Sequence, residues 1–388
     1  MDGLTSVQVR GYRAIADARF EPRPDRTALI GGNGSGKSSV LDAIGLVGDL
    51  VRHRREALGE ELRGNLGAAG QMPLSRLAHF GASAVVVELE LSVAGRVYRY
   101  RIELAPTPVS WFVAGERLEG PSRDHPEGFE VLLERDPSGS RVRRADGATI
   151  RLVPVGTAPH TPLVGLGADP LSYPELAAPY AFLRGICLLR PTPVAMRGGR
   201  PLGEFPDGYG RDLTARLHRF LTEQPGQLTD YLETMGEFVG WSALATPVRD
   251  GVARAEFREG THPTPIALEA ASDGTVVEAW LLALALDPPE GASVLLVDEP
   301  ASQFFHRSLQ RPAQLLKTLS MQRQVIVATH SPGLLSEFTD RDGVWVVSRQ
   351  AGAGAQLRRL VDLPDSDEAV TEVGLGEGAL GYGSEVAP

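Results

Sequence analysis

Cysteine is almost missing from this sequence: Cys187 is the only one among 388 residues. That excludes a disulfide framework and a thiolate zinc cluster, and in the setting Ile186-Cys187-Leu188-Leu189 the thiol reads as a small buried core side chain. Lysine is nearly as scarce, with only Lys37 and Lys317 among 39 basic residues. Long apolar runs are absent too. The longest, Ala279 to Leu286, is far too short to span a bilayer, and the N-terminus lacks a signal-peptide core, so a soluble cytoplasmic protein without membrane contact is expected. A net charge of −10 excludes a generally basic nucleic-acid coat, though not a local arginine patch. Neither an internal repeat nor sustained heptads occur, which excludes solenoids and long coiled coils.

What is present starts with Gly31-Gly32-Asn33-Gly34-Ser35-Gly36-Lys37-Ser38-Ser39. Thr27 to Ile30 is a short apolar run that suits a buried strand, and Val40, Ile44 and Val47 fall on one face of a helix that follows at once. Gly31, four residues, then Gly36-Lys37-Ser38 completes the phosphate-loop pattern in the strand-turn-helix context it requires. Glycines let backbone N–H groups cradle phosphate at the helix N-terminus, Lys37 reaches the outer phosphates, and Ser38 ligates Mg²⁺. Residues Gly31, Asn33, Gly34, Ser35, Gly36, Lys37, Ser38 and Ser39 are therefore expected to hold ATP. An otherwise arginine-written chain keeps lysine where a compact ammonium fits a tight loop and a planar guanidinium does not.

Taken in order, Val7 to Phe20 predicts a strand pair around Gly11-Tyr12-Arg13. If those strands flank the loop strand, Tyr12 and Arg13 lie near the nucleotide; ordinary sheet-edge residues are the alternative. Arg52-His53-Arg54-Arg55 predicts a solvated helix end. Gln71, in a glycine-rich stretch, is a candidate lid glutamine sensing Mg²⁺ and the attacking water, with a surface amide as the alternative. Residues 84–104 predict a hairpin turning at Ala94-Gly95, with Glu90 opposite Arg99 and Glu88 opposite Arg101 on one face, and Leu91 opposite Tyr98 and Leu89 opposite Tyr100 on the other. The sheet continues more weakly through 111–113, 129–133 and 141–143, where arginines 141, 143 and 144 suit a solvated strand better than a polyanion contact. Residues 155–210 are rich in Pro and Gly. Leu213, Leu217, Phe220 and Leu221, then Leu228, Tyr231, Leu232, Met235 and Phe238, predict two amphipathic helices, broken at Gln224-Pro225-Gly226, that pack on each other as a side domain.

Ser272-Asp273-Gly274-Thr275 opens an apolar helix and offers Ser272 and Gly274 as a second anion device, or an ordinary turn. Val294-Leu295-Leu296-Val297 predicts a strand buried on both faces, which delivers Asp298 and Glu299 at its C-terminal end, where α/β sheets keep their ligands. Asp298 in that place is expected to hold Mg²⁺, and Glu299 to polarise the attacking water. A further buried strand, Val325-Ile326-Val327, delivers Thr329-His330-Ser331-Pro332, with His330 expected to reach the γ-phosphate.

Together these segments resemble the ABC-type ATPases, and within them the short RecF-like, AAA-family ATP-binding proteins. The Tyr12-Arg13 turn and Gly374-Leu375-Gly376-Glu377 also fit that group. The resemblance implies an α/β, ABC-type P-loop fold with a mixed core sheet, an antiparallel β subdomain and a helical side insertion. It divides the chain into ATPase lobes at 1–155 and 263–388 and an insertion at 156–262. It implies catalytic roles for Glu299 and His330, nucleotide contacts from Arg13, and a signature at Ser272 and Gly274 that caps the ATP of a second subunit in a head-to-tail homodimer. Relatives of this kind imply a separate effector protein, a nuclease or toxin, in a phage-defence or toxin-antitoxin setting; an ATP-gated scaffold and a RecF-like clamp touching DNA are the alternatives. One departure stands out. After Asp298-Glu299-Pro300 the family pattern continues with an acidic residue and Leu-His-Pro, where this chain has Ala301-Ser302-Gln303-Phe304-Phe305-His306.

Overall fold

The computed structural model describes residues 2–52, 78–79, 81–106, 111–121, 128–136, 139–152, 162–198, 205–249, 252–260, 264–304, 308–350, 354–366, 370 and 374–384. In chain order come strands β1 (Gly3–Tyr12), β2 (Ile15–Phe20) and β3 (Arg26–Ile30), then helix α1 (Lys37–Arg52). Six strands follow: β4 (Val85–Val93), β5 (Arg96–Pro106), β6 (Trp111–Pro121), β7 (Phe129–Asp136), β8 (Gly139–Arg143) and β9 (Thr149–Leu152). Helix α2 (Pro174–Arg184), strand β10 (Ile186–Leu189), the short α3 (Pro193–Met196), α4 (Leu213–Thr222) and α5 (Pro225–Val239) lead into four short strands, β11 (Trp241–Ala245), β12 (Val248–Arg249), β13 (Val252–Ala253) and β14 (Glu256–Glu259). The chain closes with β15 (Ile266–Ala267), α6 (Asp273–Leu286), β16 (Val294–Asp298), α7 (Gln310–Ser320), β17 (Gln324–Thr329), α8 (Pro332–Phe338), β18 (Val344–Gln350), β19 (Gly354–Arg359) and α9 (Leu375–Ser384).

Two large sheets organise these elements. An eight-stranded antiparallel sheet runs β2-β1-β4-β5-β6-β7-β8-β9, and a six-stranded mixed sheet runs β10-β16-β17-β3-β18-β19. All neighbours in the second are parallel except β18 and β19. Alternation along its strands splits the core. Val294, Leu296, Ile326 and Ala328 face α1 and the antiparallel sheet, while Leu295, Val297, Val325 and Val327 face α4 to α8. Both faces are covered, which is why these strands read as unbroken apolar runs.

The hairpin is as expected: β4 and β5 pair Glu90 with Arg99, Glu88 with Arg101, Leu91 with Tyr98 and Leu89 with Tyr100. Ala94 and Gly95 turn it with positive φ angles of 51° and 72°, the geometry that matches strand twist in a two-residue loop. Farther along, Arg141 pairs with Glu134 and Arg143 with Glu130, so those arginines serve the sheet. Helices α4 and α5 pack on each other as expected but form no side domain: Leu213, Leu217, Phe220, Tyr231 and Met235 bury against α6 in the core beneath the mixed sheet.

Two expectations need correction. β1 and β2 do not flank the loop strand, since β3 lies between β17 and β18 and the first two strands belong to the other sheet. Arg52 is not solvated: its guanidinium donates to the carbonyls of Arg184 and Ile186, each at 2.7 Å, and pairs with Asp49, pinning the end of α1 to the start of β10. Those two carbonyls outcompeted water because α1 lies against β10. At Gly48 an added Cβ would sit 2.3 Å from the Ile186 carbonyl oxygen, so only glycine permits the approach.

One side chain joins the two sheets at their base. The Gln324 amide, at the first residue of β17, accepts from Leu4 N–H at 2.7 Å and donates to the carbonyls of Leu4 at 2.9 Å and Arg23 at 2.6 Å.

Candidate nucleotide site

Four adjacent parallel strands end at one place. β3 runs into the phosphate loop, β16 ends at Asp298 and Glu299, β17 leads to His330, and β10 leads to Arg190. Because the strands are parallel and neighbouring, their C-terminal ends bring together residues that lie far apart in the chain.

Within the loop, Gly34 and Gly36 hold φ angles of 77° and 113°, which admit only glycine without strain. Asn33, Gly34 and Ser38 are exposed, Ser39 is half-buried, and Ser35 is buried. Lys37 is 5% exposed, and its Nζ donates to the Gly31 carbonyl at 2.8 Å and the Gly32 carbonyl at 3.1 Å. Burial lowers the pKa of that ammonium below the usual lysine range, with Glu299 and Asp298 opposing. Ser35 Oγ is buried without a hydrogen-bond partner in the protein, an orphaned donor inside a ring of glycines. A phosphate oxygen would satisfy it and offer Lys37 something better than carbonyls, so the residues fit a bound nucleotide.

The acids occupy the expected strand end. Ser38 Oγ donates to Asp298 Oδ1 at 3.0 Å, which brings the two expected Mg²⁺ ligands into contact. Among the described residues no group of three or more His, Cys, Asp or Glu forms a cation cage. A Mg²⁺–nucleotide complex would need none, since Mg²⁺ in such complexes is held through one or two protein oxygens and the substrate phosphates. Glu299 lies 3.9 Å from Lys37 Nζ, and its Oε2 accepts from His330 N–H at 3.2 Å and faces His330 Nδ1 at 2.8 Å. Glu299 also carries a positive φ of 51°, held by its N–H donating to the Ala328 carbonyl at 2.8 Å. Left-handed backbone at a non-glycine residue is the kind of strain that concentrates at functional positions.

Ser272 and Gly274 open α6 beside the segment that follows the strand-end acids. Ser272 caps α6, its Oγ accepting from Thr275 N–H at 3.2 Å, and a Cβ on Gly274 would meet the Gln303 carbonyl oxygen at 3.1 Å. This turn thus adjoins the segment after Asp298-Glu299-Pro300, and Arg197 secures it through Asp273 at 2.8 Å and the Ala271 carbonyl at 2.7 Å. Arg13 comes to the site by an unexpected route: the β1–β2 turn packs Ala14 against Gly36, and Arg13 pairs with Asp42 on α1. Tyr12 is 1% exposed, a core residue. Gln71 lies outside the described residues.

Sequence reasoning missed Arg190 and Asp42. Arg190 Nε donates to Asp298 Oδ2 at 3.1 Å, and its Nη2 bonds Asp42 Oδ1. Burial raises the Asp42 pKa, an effect the two arginines counter. A basic residue just after Ile186-Cys187-Leu188-Leu189 was the available signal, but four apolar residues in a Pro/Gly-rich stretch do not announce a strand.

The family profile described as "AAA domain, putative AbiEii toxin, Type IV TA system" matches residues 26–149 and 205–336, well over half of the chain. The chain belongs to this AAA family. Part of it is similar to RecF: a DNA replication and repair protein RecF from Frankia alni is 33% identical over 138 residues, 36% of this chain and 35% of the relative. A RecF from Beutenbergia cavernae is 30% identical over 151 residues, 39% and 36% of the two chains. The chain thus spans about a third of the length of the curated relatives it matches. In overall shape this AAA protein resembles an Smc head domain bound to the C-terminal domain of ScpA, from Pyrococcus furiosus, with a TM-score of 0.54 at 14% identity over 92% of this chain and 96% of that one. A second Smc head, bound to the C-winged helix domain of ScpA, also gives 0.54, at 16% identity over 92% and 97%. The fold is therefore that of ABC-type P-loop ATPases, with a mixed core sheet and an antiparallel sheet beside it.

Proposed function

We propose that this AAA protein is a Mg²⁺-dependent ATPase whose two copies close head to tail on ATP and pass that state to a separate effector. The observation that carries this reading is the convergence of Lys37, Ser38, Asp298, Glu299 and His330 at the ends of adjacent parallel strands. In it Lys37, Ser35 and the loop glycines hold the phosphates, while Ser38 and Asp298 hold Mg²⁺, which screens phosphate charge when bound. Glu299 orients and polarises a water, and His330 keeps that carboxylate aligned and reaches toward the γ-phosphate. Ser272 and Gly274 serve the ATP of a second copy, in a chain with lobes at 1–155 and 263–388 and a segment 156–262 between them that contributes β10 to the core sheet. The family description, which names a toxin and a toxin-antitoxin system, supports an effector in such a setting. Similarity to DNA replication and repair proteins supports a second reading, a clamp that contacts DNA.

The deciding experiment compares two substitutions in an ATP-binding and turnover assay. Lys37→Ala should abolish binding of labelled ATP, and Glu299→Gln should bind normally while hydrolysis falls by about 10²- to 10⁴-fold. Undiminished binding in the first, or wild-type turnover in the second, refutes the assignment. Nucleotide-dependent retention of a short DNA duplex, absent with Lys37→Ala, would favour the clamp.

A further inference from the structure

Arg190 has no part in the phosphate loop or the strand-end acids, yet it contacts the proposed metal ligand. Its Nε lies 3.1 Å from Asp298 Oδ2 while Ser38 Oγ lies 3.0 Å from Asp298 Oδ1, so both oxygens of that carboxylate are engaged. The other arm of the guanidinium bonds Asp42 on α1, which Arg13 holds from the opposite side. Asp42 and Asp298 are 5% and 8% exposed at the side chain, and Arg190 is 30% exposed, so the contact is largely shielded from water.

The charges balance. Three carboxylates, Asp42, Asp298 and Glu299, face three cations, Arg13, Arg190 and Lys37. A divalent cation approaching Asp298 from the Ser38 side, at Oδ1, therefore meets a carboxylate whose charge is already met by the guanidinium on Oδ2, and the two cations repel each other across it. The backbone of Arg190 is fixed, because its N–H donates to the Gly208 carbonyl at 2.6 Å and its carbonyl accepts from Thr192 Oγ1 at 2.9 Å. Only the side chain is left to give way, and Asp42 supplies the pivot about which it turns.

We propose that Arg190 is a positioning residue that stands in for the divalent cation: it neutralises and orients Asp298 before metal-nucleotide arrives, then yields Asp298 while keeping Asp42. Resting on the nucleotide site proposed above, this makes cation loading a competition between the chain's own guanidinium and the metal. A site emptied of that guanidinium gains one net negative charge next to the metal ligand. Cation affinity should then rise, and affinity for metal-free ATP, itself an anion, should fall.

The test uses the full chain with AMP-PNP as the nucleotide and Mn²⁺ as the probe, read by electron paramagnetic resonance, with nucleotide affinity measured separately in excess EDTA. Arg190→Ala and Arg190→Gln should each bind Mn²⁺ about 10- to 100-fold more tightly than wild type and bind AMP-PNP in EDTA more weakly. Arg190→Lys, which restores a cation without the planar fork, should return most of the wild-type balance between the two affinities. Thermal unfolding of the variants checks that the fold survives. Mn²⁺ affinity equal to or below wild type in both neutral variants, with wild type itself binding AMP-PNP, overturns the stand-in role alone. Failure of the wild-type chain to bind AMP-PNP with or without Mn²⁺ overturns the nucleotide site and this inference together.

Discussion

Glu278 lies on α6 with 1% of its surface exposed, and only one of its oxygens is served: Arg311 Nε sits 3.2 Å from Oε1, while Oε2 and the nearby buried Tyr231 hydroxyl lack partners in the protein. Burial pushes its pKa up from 4.5 to about 7, and Arg311 opposes that rise without cancelling it. With the folded pKa above the unfolded one, the native state binds the extra proton between about pH 4.5 and pH 7. The associated stability is present below that window and lost as pH rises through it. Glu278→Gln should remove the slope, so denaturant titrations at pH 5 and pH 8 should show the variant losing roughly 1–3 kcal/mol less than wild type. Equal losses in the two proteins would refute it. Residues such as Lys37, Asp298 and Glu299 were legible in the sequence because each sits in a local strand-turn pattern whose chemistry is fixed within a dozen positions. Glu278 and Arg190 were not, since what defines them is a neighbour from a distant segment.

At the scale of elements, the seating of α1 on β10 is a question of which of two opposed effects is larger. Alanine in a helix interior is worth about 1 kcal/mol over glycine, yet at Gly48 its methyl would lie 2.3 Å from a backbone oxygen that cannot rotate away. The clash should win. Gly48→Ala is expected to destabilise the protein by about 1–3 kcal/mol in urea unfolding, whereas a stability gain would show that α1 can slide. The β4–β5 register was read correctly because two faces with different chemistry leave a single pairing that satisfies both. The sequence leaves the placement of β1 and β2 open, because nothing in their alternation says which of two sheets they join; that choice is made by Val7, Val9 and Ile15, which share a core with β4 and α1. β10 escaped notice because it has four residues, and its strand identity comes from parallel pairing with β16.

For the whole molecule, the placement of Ser272 and Gly274 on a partly exposed turn beside Gln303 has consequences for assembly under the proposed function. Ser272 is exposed and Gly274 adjoins Gln303 and Phe304, so both features point to a surface that one copy cannot use on its own ATP under the proposed function. Light scattering of the Glu299→Gln chain should therefore show ATP raising the mass to that of a dimer, and Ser272→Arg should block the rise. A dimer equally stable without nucleotide would refute the switch.

The Gln324 bridge has a mechanical meaning. By tying Leu4 and Arg23 to the root of β17, it leaves the antiparallel sheet no slack where it meets the mixed sheet. Strand after strand is then stacked outward from a clamped base, from β1 through β4 to β9, each held to the last by its own ladder. The outer strands are tied back as well, since Arg143 on β8 reaches Glu175 on α2 at 3.4 Å and Ala145 N–H donates to the Ser172 carbonyl at 3.0 Å, so the sheet is braced against the core at both ends and a rotation of the core is passed along its whole width.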